Sequence, residues 1–195
     1  MEDDSGYLPS DDGFDFGDIF DVQTDRNVAD QRVRAFLYMI GSAETSPELM
    51  ANGRAFHTYY GFSTFENLSD HPSVTKEKAG VPLSAAVCAA AGFGPGCVST
   101  AAGAFQINGP TWQTVRQARP LWGAYLSDFS PASQTEAARR VLILAGALGD
   151  VERGDFSAAL NKASTRWASL PGSTAKQGTR NYAWIQSVYE GNLYA

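Results

Sequence analysis

Apolar residues first fall into a helical rhythm at Val33, Phe36, Leu37 and Ile40. The i, i+3, i+4, i+7 spacing predicts an amphipathic helix with one buried stripe. Asn27 offers an N-cap at its start, and Gly41-Ser42-Ala43 marks its end, which sets Glu44 at the C-terminal tip. The pattern then changes, and residues 55–87 read as strands. Phe56-His57-Thr58-Tyr59-Tyr60 and Phe62-Ser63-Thr64-Phe65 are rich in aromatic and β-branched types, with Gly61 between them. Asp70-His71-Pro72 is a turn signal. Helical spacing returns further on. Pro110 stands where a first turn belongs, ahead of Trp112, Val115 and Leu121, and Ser130-Pro131 opens a helix through Val141, Leu142 and Leu144. Asp155 caps a helix carrying Phe156, Leu160, Ala163 and Trp167, which Pro171-Gly172 ends. Thr179 opens a last one with Tyr182, Ile185, Val188 and Tyr189. Trp112, Trp122, Trp167 and Trp184 share this spacing with other apolar residues and read as core. Helix, small antiparallel sheet, then several helices is an α+β order, mostly helical.

Charge divides the chain in two. Residues 1–30 hold ten acidic side chains and Arg26 as their only base, a balance of −9, so a net charge of −6 leaves +3 for the rest. Residues 1–26 are therefore set apart as an acidic N-terminal extension, and 27–195 as one domain. Self-repulsion and few aliphatic residues favour a solvated, flexible tail. The run Phe14, Phe16, Ile19 and Phe20 is nevertheless suited to docking on a partner or on the protein's own surface. A mildly basic body fits a polyanionic cell-wall substrate and is too weakly charged for nucleic-acid binding.

No apolar run approaches the roughly 20 residues of a membrane span, and the acidic N-terminus lacks the basic and apolar regions of a secretory signal. Cys88 and Cys97, the only cysteines, bracket a Gly-rich segment; a disulfide or two free thiols both suit that spacing. His57 and His71 show no ligand spacing with them, so neither a metal nor another cofactor is expected.

Six short stretches carry a resemblance, in order and at compatible spacing over roughly residues 30–190. They are Gln31–Ile40 leading to Ser42-Ala43-Glu44, Ser69-Asp70-His71-Pro72, Ser99–Gln106, Asp128–Gln134, Arg153-Gly154-Asp155 and Trp167–Gly172. Together they resemble the bacteriophage lambda-type endolysins, members of the lysozyme superfamily that act as lytic transglycosylases. The resemblance implies a lysozyme-like fold, a small β lobe flanking a cleft, and cleavage of the β-1,4 bond between N-acetylmuramic acid and N-acetylglucosamine in peptidoglycan. It also implies a phage enzyme made in the host cytoplasm that reaches the cell wall after release, or one carried in the virion. In the latter case the acidic extension would meet a virion protein.

On composition alone Glu44 is a surface acid at a helix end; the resemblance makes it the catalytic acid/base. Glycosidic cleavage needs a carboxyl group still protonated near neutral pH, which an apolar setting provides. Hydrolysis would normally require a second carboxylate, for which Glu66 and Asp70 are the nearest candidates, whereas the family's acidic position is His57 here. That departure favours a transglycosylase over a hydrolytic muramidase; a non-catalytic peptidoglycan-binding protein is the remaining alternative. Gly103-Ala104-Phe105-Gln106 matches the family's cleft-floor signature, with Gly103 allowing close backbone approach and Gln106 offering an amide to sugar groups. Phe105, Ser99, Thr100, Tyr60 and His57 complete the expected substrate contacts. Asp70 and His71 read as props of the hairpin, and the segment from Cys88 to Cys97 as a lip of the cleft.

Overall fold

The computed structural model describes the backbone of residues 16–174 and 178–194, and side chains from residue 24. Helix α1 runs Phe16–Glu44 over 29 residues. It thus begins at Phe16 rather than at Asn27, with no proline to interrupt the stretch between them. Residues 16–26, expected to be flexible, are its first turns; Phe14 and the residues before it lie outside the described residues. The expected stripe is buried: Val33, Phe36, Leu37 and Ile40 all face the core. Phe36 meets Phe156 and Tyr189 edge-on, each at 6.0 Å between ring centroids. Short α2 (Pro47–Ala51) follows, capped by Ser46, whose Oγ accepts from the Leu49 N–H.

The region expected to be strands is mostly turns. β1 (Thr58–Tyr59) and β2 (Ser63–Thr64) pair antiparallel between 3₁₀ turns at Arg54–His57 and Tyr60–Phe62. Thr58 Oγ1 donates to the Arg54 carbonyl, a side-chain bond that closes a helical turn where a ladder would otherwise extend. After α3 (Pro72–Thr75), β3 (Val81–Pro82) pairs with β4 (Val98–Ser99). Between them α4 (Ala85–Ala90) occupies part of the expected loop, and Cys88 is disulfide-bonded to Cys97. Closing so short a loop stabilises by about 2–3 kcal/mol in the chain-entropy picture.

The helical half is α5 (Gly109–Val115), α6 (Pro131–Leu144), α7 (Leu148–Arg153), α8 (Phe156–Ala163) and α9 (Tyr182–Gly191). Ser130 and Asp155 cap α6 and α8 as expected, each accepting from the backbone N–H three residues on. Three expectations shift. Leu121 lies beyond α5 and is exposed, Trp167 lies beyond α8, and the cap of α9 is Asn181, which accepts from the Trp184 N–H at 2.8 Å, rather than Thr179. Trp112, Trp122 and Trp167 are core residues; Trp184 is half-buried. α1 packs chiefly on α7 and α9, so the apolar centre lies among the helices and the short strands sit at one end. Among the described residues no helix is long and apolar enough to cross a membrane.

Two buried polar clusters join the ends. Gln134 on α6 donates to the Phe56 and Phe129 carbonyls and accepts from the Ala104 N–H. Its amide lies where a Cβ on Gly103 would be, 2.0 Å from such an atom, and Gly103 also has φ of +77°. The close approach expected at Gly103 is therefore made by the protein itself. In the second cluster Asp70 accepts from Arg116, from Trp112 Nε1 and from the His71 N–H. The fully buried His71 donates from Nε2 to the Ile107 carbonyl and accepts at Nδ1 from Ser73. Both residues are props of the fold, as read from the sequence.

Burial holds the His71 imidazole below its ordinary value of 6.5, so the folded protein keeps it neutral. The unfolded chain takes up a proton near pH 6.5, and stability, complete above that pH, falls as pH drops below it. Burial works to raise the Asp70 carboxyl, but hydrogen bonds from Arg116 and Trp112 outweigh it and leave it low, adding a further loss in more acid solution. The thermal midpoint is expected to decline between pH 7 and 5. His71→Gln should lower it at pH 7 and flatten that slope, measured by circular dichroism.

Candidate active site

Glu44 is the last residue of α1, and its carboxyl enters a cleft of about 470 Å³. Tyr60, Phe62 and Trp167 supply apolar wall; Gln106, Ser169, Arg166 and Arg180 supply polar groups. Among the described residues Glu44 is the only carboxylate lining this cleft. Desolvation raises its pKa above the ordinary 4.5, and is the largest influence on it. Hydrogen bonds from the Ser169 side chain and backbone, then the positive charge of Arg180, act in the opposite direction without cancelling it. Ser169 Oγ donates to Glu44 Oε1 at 2.6 Å. A carboxyl group so placed holds its proton to higher pH than a solvated one and, once ionised, has a donor ready to stabilise it.

Gln106 lines the floor. Its Nε2 donates to the Gly103 carbonyl at 2.9 Å and to the Thr58 carbonyl at 3.2 Å. With its N–H groups committed to backbone, the group it retains for a ligand is the Oε1 acceptor, half of what the sequence led us to expect. These bonds also hold its backbone at φ +45°. Ser99 and Tyr60 line the cleft with it.

Three expected contacts lie elsewhere. Phe105 is 2% exposed and packs in the core, and its carbonyl accepts from Trp167 Nε1. The next residue's left-handed backbone turns Gln106, and not Phe105, toward the opening. Thr100 Oγ1 accepts from the Gly109 N–H, fixing the turn into α5, and Thr100 is not part of the cleft wall. His57 turns its Nδ1 to the Phe65 carbonyl at 3.0 Å, on the hairpin away from the cleft, which fits a strand-capping role. The two candidates for a second carboxylate are also absent from the lining. Glu66 is exposed near His57, and Asp70 is committed to Arg116.

Sequence reasoning missed Ser169, Arg166, Arg180 and Phe62. Ser169 stands inside the Trp167–Gly172 stretch, which carried a signal as part of the resemblance but no assigned role. Arg180 gave none; it reaches Glu44 because its N–H donates to the Ser169 carbonyl and its guanidinium rests over the Trp184 ring at 5.1 Å. Among the described residues no group of three or more His, Cys, Asp or Glu side chains is placed to hold a metal ion. Ser169→Ala removes a donor that favours the ionised carboxyl. The Glu44 carboxyl is expected to titrate at higher pH in that variant, followed by the carbon NMR shift of the side chain.

The Endolysin family model matches residues 34–193. The chain is 32% identical over 146 residues to the endolysin of Escherichia phage lambda, covering 72% of this chain and 77% of that one. The solved structure of bacteriophage lambda lysozyme complexed with a chitohexasaccharide superposes with a TM-score of 0.63 at 28% identity, covering 83% of this chain and 94% of that one. A second lysozyme structure from bacteriophage lambda gives 0.55 at 27% identity, with 84% and 90% covered. With the fold, the cleft and the sequence in agreement, the chain belongs to the endolysin family and is a peptidoglycan-cleaving enzyme of the lysozyme-like α+β fold.

Proposed function

We propose that the protein is a lytic transglycosylase that cuts between N-acetylmuramic acid and N-acetylglucosamine, with Glu44 as its single acid and base. The observation carrying this reading is that Glu44 is the one carboxylate lining the cleft among the described residues, in a setting that raises its pKa. The chitohexasaccharide held by the lambda lysozyme supports a β-1,4-linked amino-sugar strand as the occupant. Protonated Glu44 donates to the glycosidic oxygen as its bond to muramic C1 breaks, and the departing N-acetylglucosamine leaves with a free hydroxyl. The carboxylate, favoured by Ser169 and Arg180, then takes the proton of the muramic C6 hydroxyl as that oxygen bonds to C1. A 1,6-anhydro ring forms, no water is consumed, and Glu44 regains its proton. Gln106 Oε1, Ser99 and Tyr60 hold the strand. A hydrolytic muramidase would place a water where the C6 hydroxyl attacks.

Digestion of purified peptidoglycan followed by mass spectrometry of the soluble fragments tests this. The expected products end in 1,6-anhydro-muramic acid, and Glu44→Gln abolishes them while remaining folded. Reducing muramic ends would overturn the transglycosylase reading in favour of hydrolysis.

The acidic extension through residue 26 belongs, in this proposal, to partner docking, with a virion protein as the partner, and the catalytic domain is 27–195. The family match beginning at residue 34 and the change in charge sign support the division. Deleting residues 1–25 is expected to leave glycan cleavage within about twofold while removing the protein from particles in sedimentation. Unchanged association with particles would rule the docking role out.

A further inference from the structure

The hairpin loop that closes β1 onto β2 places Phe62 where an L-residue is strained. Tyr59 pairs with Ser63, and the loop between them turns through Gly61 at φ +75° and Phe62 at φ +63°. A left-handed backbone suits Gly61, whereas a bulky side chain adopts it only at a cost in stability. Among the described residues three that are not glycine have positive φ, and two have local reasons. Lys76 ends a helix, a position that commonly turns left-handed, and Gln106 is held by its own side-chain bonds. Phe62 has neither. Its side chain is not repaid by packing, for the residue is 66% exposed and no aromatic ring pairs with it among the described residues. It lines the cleft that holds Glu44.

We infer that Phe62 is a stacking platform for a sugar ring of the glycan strand, held at the rim of the cleft by the strained turn. A pyranose presents a face of C–H groups that covers a flat aromatic ring and removes its apolar surface from water. The polar part of the cleft, Gln106, Ser99 and Arg180, meets the hydroxyl and acetamido edges of the same strand. The turn fixes the backbone that carries the ring, so less freedom is lost on binding than with a platform on a loose loop. The ligand class is an N-acetylated hexosamine ring next to the bond that Glu44 addresses. This inference rests on the glycan reading of the cleft and deepens it.

Strain and function make opposite demands here, which gives the test its sign. Phe62→Gly is expected to raise the thermal midpoint by a few degrees while weakening chitohexaose binding roughly five- to tenfold in calorimetry. The KM for peptidoglycan strands should rise by a similar factor with kcat changed less. Phe62→Tyr is expected to keep the affinity. Phe62→Leu, apolar and equally strained but not flat, is expected to lose it. Wild-type affinity in both the Gly and Leu variants, with the wild type binding chitohexaose, would overturn the platform alone. A lower midpoint in the Gly variant would also overturn it, by making the ring a packing residue. A wild type that neither binds chitohexaose nor cleaves peptidoglycan would overturn the glycan reading and the platform together.

Discussion

The amide of Gln134 satisfies three backbone groups from three parts of the chain: the carbonyls of Phe56 and Phe129 and the N–H of Ala104. It is 1% exposed, so each of those groups would be buried without a partner if the amide were removed. The bond to Ala104 requires bare backbone at Gly103, since a Cβ there would stand 2.0 Å from the amide oxygen. The floor of the cleft is thereby fastened to α6 on one side and to the turn before β1 on the other. Gln106 follows directly, its own amide bound to the Gly103 and Thr58 carbonyls. The paired strands are only two residues long, so ladder bonding alone would hold this end of the molecule poorly. A side-chain clasp does what a larger sheet would do elsewhere.

Against that fixed floor, Glu44 enters from the end of a helix whose Val33, Phe36, Leu37 and Ile40 are core. α1 is anchored by Phe36 between Phe156 and Tyr189, so the position of the carboxyl follows from packing well away from it. Desolvation favours its protonated form, while Ser169 and Arg180 stabilise the ion that forms when the proton leaves. The balance suits a group that gives and takes one proton in a single turnover. Both opposing residues come from the segment between α8 and α9, and their bond to each other ties the two influences to one stretch of chain.

Left-handed backbone serves two ends around this cleft. At Gly103 it allows a close approach within the protein and nothing but glycine fits. At Phe62 it carries a large exposed ring on the cleft wall, where packing has no use for it. The first is a requirement of the fold. The second costs the fold something and finds its return in the ligand.

Helix spacing, caps and the acid at the helix end were legible from the chain, because they depend on residues within a few positions of one another. The α1 stripe, Ser130 and Asp155 as caps, and the α+β order all follow from such local rules. The lambda-type resemblance added the family and singled out Glu44 and Gln106, which local chemistry alone would have passed over as a surface acid and a buried amide. Local rules misjudged the region around residues 55–87, where aromatic and β-branched types suggested longer strands than tertiary packing and the Thr58 side-chain bond allow. The resemblance carried Phe105, Thr100 and His57 to the cleft as well, and none of the three lines it. Which side of a turn faces a cleft is set by a single φ, and which donor meets a carboxyl is set by segments more than a hundred residues apart. Ser169 against Glu44, Arg180 behind it, Gln134 through Gly103 and the exposed ring of Phe62 are decisions of that kind, made only when the chain closes on itself.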